Sequence, residues 1–84
     1  MNLNNVSILI ENEQEYIYVQ NKLLNMGYIW KNGENYFLNY YNKNKKEYLN
    51  IDECSRISYS GIFVINKIIP YSILFRKEKL KKLL

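Results

Sequence analysis

The sequence predicts an α+β protein: one antiparallel, meander-like sheet of about five strands, an N-terminal amphipathic helix packed on one face, and a basic C-terminal helix. Three observations carry this. Short β-branched and aromatic runs recur between turn residues. One early segment places apolar residues at helical spacing between two capping signals. Charge is concentrated at one end. Residues 1–71 hold seven basic and seven acidic side chains, whereas residues 72–84 hold five basic and one acidic, which supplies the net +4. The 84 residues form a single domain, a neutral body over 1–71 followed by the basic segment 72–84. A chain of this size buries about two-thirds of its unfolded surface.

The elements follow in order. "VSILI" (6–10) is apolar at nearly every position, as a well-covered strand is. Asn12 is an N-cap, and Glu15 three residues on completes a capping-box-like pair at the positive helix end. Tyr16, Val19, Leu23 and Met26 then recur every three or four positions, giving a helix over 13–26 that Gly27 closes. Residues 28–30 form a short strand, Asn32-Gly33 a hairpin turn, and "NYFLNYY" (35–41) the returning strand. "EYLNI" (47–51), "RISYS" (56–60) and part of "IFVINKII" (62–69) supply the remaining strands, the last ended by Pro70. From Ser72 a second helix places Ile73, Leu80 and Leu84 on one face. Trp30 comes four residues after the last helical turn, where its indole can anchor the helix–sheet seam.

Most reaction classes lack their reagents. The chain has no His, the commonest general base and metal ligand. Cys54 therefore has no histidine to generate a thiolate, and its flanking Asp52 and Glu53 mark a turn. Gly27, Gly33 and Gly61 are isolated, so no phosphate-cradling loop exists. The expectation is a non-enzymatic protein with no catalytic residue, no metal and no cofactor. The longest strictly apolar run, "IFVI", is far short of the ~18 residues that span a bilayer. No signal peptide is legible in "MNLNNVSILIENE", and a lone Cys excludes an internal disulfide. A cytoplasmic protein is expected. Asn, Ile, Lys and Tyr abound while Ala and Thr are absent, a bias toward AT-rich codons that weakens every individual Lys or Asn as a functional signal.

"ENEQEYIYVQNKLLNMGYIW", followed by a hairpin and "ISYS", resembles a recurring type of small phage-encoded protein. The shared pattern is a strand, an acidic cap, a "VQ…L…GY.W" helix and strand, a meander, and a polar closing strand. It covers residues 8–60 and contains no catalytic signature. Proteins of this type include inhibitors of bacterial defence, anti-CRISPR proteins among them. The resemblance implies action in the cytoplasm of a bacterial host cell, on a host defence protein or ribonucleoprotein complex.

Two features stand out as candidate partner-binding surfaces. The first is the tail, with Arg76, Lys77, Lys79, Lys81 and Lys82; its charge suits RNA, DNA or an acidic protein surface, and a solvated helix face is the plain alternative. The second is aromatic. Period-two alternation turns Tyr48 outward if Leu49 and Ile51 point inward, and sets Phe37 and Tyr41 on the face opposite Tyr36, Leu38 and Tyr40. Phe37, Tyr41 and Tyr48 would then share an open sheet face able to stack bases or meet a protein, unless a terminal element covers it. The leading expectation is stoichiometric inhibition by binding an RNA-guided nuclease complex. Direct nucleic-acid binding through tail and tyrosines is the second, and sequestration of a signalling nucleotide the third.

Overall fold

A computed structural model of the chain describes residues 3–61 and 66–70, in which one helix packs on a five-stranded mixed sheet. The elements are β1 (Val6–Leu9), α1 (Glu13–Asn25), β2 (Ile29–Trp30), β3 (Tyr48–Ile51), β4 (Arg56–Ser60) and β5 (Lys67–Pro70). The helix ends where its caps place it. Asn12 accepts from the Glu15 amide at 2.9 Å, and the Glu15 carboxylate reaches back to the Glu11 amide at 3.3 Å. At the other end the Tyr28 amide bonds to the Leu23 carbonyl and the Gly27 amide to the Leu24 carbonyl. This paired closure requires a left-handed residue, and Gly27 has φ +97°.

The strand order is β2-β4-β3-β1-β5. β3 runs antiparallel to both its neighbours, while β1 pairs with β5, and β2 with β4, in parallel. The expected antiparallel meander is therefore corrected to a mixed sheet. Pairing partners are set over long range, and alternation along a strand carries no information about which strand lies beside it. β5 is described as far as Pro70, at the outer position of the described strand order, and its expected termination there borders residues outside the description. The expected helix over the tail lies outside the described residues.

The register sorts the side chains. Val6 opposes Ile51, Ile8 opposes Leu49, and Ile51 opposes Ile57. These residues join Tyr16, Val19, Leu23 and Trp30 in one buried core beneath the helix. Alternation turns Ser7 and Asn50 to the other face, and both are fully buried. A buried polar pair needs partners. The Ser7 hydroxyl donates to Asn50 Oδ1, Asn66 Nδ2 donates to Ser7 at 2.9 Å, and Asn50 Nδ2 donates to Ser60 Oγ at 3.1 Å. These bonds join β1, β3, β4 and the approach to β5 across the sheet.

Trp30 has 3% of its surface exposed, and its Nε1 donates to Gln20 at 3.1 Å. It is the anchor the sequence predicts. Trp30→Ala should cost about 3–5 kcal/mol in a denaturation curve, the range for truncating buried aromatics. Gly27→Val should cost about 2 kcal/mol through the backbone alone, because an added Cβ meets nothing within 4 Å while a left-handed φ is strained for a side chain.

Candidate interaction surface

The segment expected as the returning hairpin strand does something else. The turn itself forms: Gly33 has φ +94°, its amide bonds to the Trp30 carbonyl, and the Trp30 amide bonds to the Glu34 carbonyl. Beyond it, residues 35–47 leave the sheet and cross the helix as a strap. The reason lies in two polar side chains on the buried face of α1. Gln20 Oε1 accepts from the Leu38 amide at 2.7 Å, and its Nε2 donates to the Leu38 carbonyl at 2.9 Å. The Tyr16 hydroxyl donates to the same carbonyl at 2.5 Å and accepts from the Tyr40 amide at 3.0 Å. Helix side chains thus replace a neighbouring strand for Leu38 and Tyr40.

Aromatic rings reinforce the seat. The Tyr16 ring meets Phe37, Tyr41 and Tyr59 at centroid distances of 6.0, 5.9 and 4.8 Å. Tyr40 stands edge-on to Trp30 at 5.2 Å. Such contacts are worth about 0.5–1.5 kcal/mol each beyond area burial. The strap keeps considerable apolar surface outside: Tyr36 is 55% exposed, Tyr40 51% and Phe37 38%. Two neighbouring hollows border its far end. One, about 450 Å³, lies among Ile10, Glu11, Tyr41 and residues 43–46. The other, about 480 Å³, lies among Glu13 and residues 39–44. Lys43, Lys45 and Lys46 stand around them.

The expected aromatic face is therefore not assembled as a unit. Phe37 and Tyr41 rest against Tyr16 on the helix side, whereas Tyr48, opposite Leu9 and Ser60, faces the other side of the sheet and is half-buried. Alternation could not foresee this, because it applies only within a strand. Tyr36 and Tyr40, assigned by the same alternation to the face opposite Phe37 and Tyr41, are the most exposed aromatics among the described residues. Arg76, Lys77, Lys79, Lys81 and Lys82 lie outside the described residues. Cys54 is exposed in the turn between β3 and β4, where the Asp52 carboxylate accepts from the Cys54 and Arg56 amides. No cluster of three or more His, Cys, Asp or Glu suited to a metal forms among the described residues, and no described helix is long and apolar enough to cross a membrane.

Compared with protein-family models, curated proteins and solved structures, the chain matches none.

Two tyrosines under the strap have raised pKa values. Burial pushes the Tyr16 hydroxyl up against the opposing effect of its hydrogen bonds. Tyr59 is pushed up to about 12, first by burial and then by Glu47 and the neighbouring tyrosines; its hydroxyl is buried with no partner among the described residues. A phenol whose folded pKa exceeds its unfolded value near 10 favours the fold while protonated. Stability should therefore be insensitive to this group below pH ~10 and fall between pH ~10 and ~12. Alkaline unfolding of wild type and Tyr59→Phe checks this, the variant losing less over that window. Gln20→Leu strands the Trp30 indole N–H and the Leu38 amide, while the Leu38 carbonyl keeps the Tyr16 hydroxyl. It should cost on the order of 3 kcal/mol and expose the strap to limited proteolysis before the sheet.

Proposed function

We propose that the chain is a non-enzymatic, stoichiometric binding protein of the phage anti-defence type, and that the strap is its principal contact surface. The observation that carries the reading is the display of Tyr36, Phe37 and Tyr40 on a segment fastened to the helix by part-buried hydrogen bonds. Aromatic side chains are enriched at protein interfaces, and holding them in place beforehand removes part of the ordering cost of association. A protein that acts by occupying its target needs such a surface and no reactive group. The resemblance of residues 8–60 to small phage proteins supplies the setting, with an RNA-guided nuclease complex as the leading target and the bacterial cytoplasm as the place.

The test is affinity capture of the tagged full-length chain from host lysate, with and without nuclease. A protein partner should persist after nuclease treatment. Tyr36→Ala with Tyr40→Ala should weaken its binding by at least about tenfold, as loss of aromatic hot spots does. Replacing Arg76, Lys77, Lys79, Lys81 and Lys82 by Gln should weaken it further and flatten its salt dependence.

A second reading has its own observation. Lys43, Lys45 and Lys46 stand beside Tyr40 and Tyr41 around the two hollows, an arrangement of cations and aromatic rings that suits single-stranded nucleic acid. Recovery of nucleic acid alone, released as salt rises, would favour it and overturn protein-directed inhibition.

A further inference from the structure

The turn at the base of the strap contains a reactive pair. Asn32 is the only asparagine of the chain that is followed by glycine. Gly33 has no side chain to shield its backbone nitrogen, so this pairing is the one most prone to attack of that nitrogen on the asparagine side chain. Both residues are exposed, and water reaches them. The chemistry balances on chain and solvent alone. The Gly33 nitrogen gives up its proton and bonds to Asn32 Cγ, ammonia leaves, and a cyclic imide results. Water then opens the imide at either carbonyl, giving aspartate or isoaspartate. In isoaspartate the backbone runs through the side-chain methylene.

The folded turn holds both reacting groups. The Gly33 N–H donates to the Trp30 carbonyl at 2.8 Å, and Asn32 Oδ1 accepts from the Glu34 amide at 3.1 Å. The Glu34 donor draws electrons from Cγ and would favour attack, but no attack occurs while the nitrogen keeps its proton. Loss of that proton is also the first event of amide hydrogen exchange, which a hydrogen-bonded amide undergoes only when its bond opens. Trp30 is the fixed end of the bond, with its ring buried, its indole held by Gln20 and its amide by the Glu34 carbonyl. Opening therefore means that residues 33 and 34 swing away. They lead directly into the strap, which Gln20 also holds at Leu38. We infer that Asn32 is a latent deamidation site, restrained while the strap is seated and reactive when it lifts, and that conversion to isoaspartate makes the release permanent. The Gly33–Trp30 and Trp30–Glu34 bonds both close rings through the backbone of residue 32, so an added methylene there destroys their register. This holds whether or not the strap is a contact surface.

The test follows the full-length chain in warm, mildly alkaline buffer as folded wild type, as wild type in denaturing urea, and as folded Gln20→Leu. Peptide mass spectrometry locates the amide-to-acid mass gain, and isoaspartate-specific enzymatic methylation identifies the backbone isomer. In urea Asn32 should react ahead of every other asparagine. In the fold it should react at least about tenfold more slowly, in step with exchange of the Gly33 amide, and in Gln20→Leu at least about threefold faster than in folded wild type. Chains carrying isoaspartate, separated from the mixture, should be cut by trypsin within residues 35–47 at least about threefold faster than unreacted chains. Asn32→Asp, which has the acid without the longer backbone, should resist trypsin as wild type does. Equal rates in the fold and in urea, an unchanged rate in folded Gln20→Leu, or a strap as resistant after conversion as before would each overturn the inference. If Gln20→Leu does not fold, urea below the unfolding transition takes its place. Asn32 should then accelerate while the β1 amides stay protected, and acceleration only together with global unfolding would sink the coupling to the strap.

Discussion

A buried amide must place its oxygen against donors and its nitrogen against an acceptor, and the arrangement of this protein follows from how Gln20 does so. Its side chain is fully buried on the inner face of α1. The Trp30 indole and the Leu38 amide can only donate, so they fix the oxygen toward themselves and the nitrogen toward the Leu38 carbonyl. One residue thereby joins the helix, the second strand and the strap. Tyr16, one helical turn earlier, repeats the device with a hydroxyl that both donates and accepts. An apolar residue at either position would leave backbone groups buried without partners, which costs more than the bond itself is worth.

This explains which parts of the fold were legible in the sequence. The helix could be read because its signals are local: Asn12 and Glu15 at one end, Gly27 at the other, and apolar residues at a period that only a helix satisfies. Trp30 could be placed from its distance to that cap. The strands around Leu49 and Ile57 were readable from alternation and turn residues. Residues 35–41 were not, because their sequence suits a strand, yet the partners of Leu38 and Tyr40 are a pair of helix side chains. Gln20 itself looks like any polar helical residue. Its one distinguishing sign is position, since it follows Tyr16 by four and precedes Leu23 by three and so shares their buried face.

The aromatic residues of the candidate surface were legible in the sequence, and the faces they take were not. Composition pointed to aromatic residues on an open face, and the exposed aromatics of the strap are of that kind. Assigning Phe37, Tyr41 and Tyr48 to one face failed because the first two belong to a segment outside the sheet. Once the strap lies over the helix, its most exposed rings among the described residues are Tyr36 and Tyr40.

The sheet order also determines when this protein can fold. β1 makes its two ladders with residues 48–51 and 67–70, so Val6 must find Ile51 before its strand has one neighbour and Lys67 before it has both. By contrast, α1 and its caps close over a few residues and can form within microseconds. A topology dominated by such distant pairings folds slowly for its size. While a ribosome is still making the chain, "VSIL" waits as an unpaired apolar strand until residues 48–51 have left the exit tunnel, and keeps one edge without its β5 partner until residues 67–70 follow. Asn4 and Asn5 before it, and Glu11 after it, are polar residues in the positions where natural sequences guard such segments against pairing with the wrong chain.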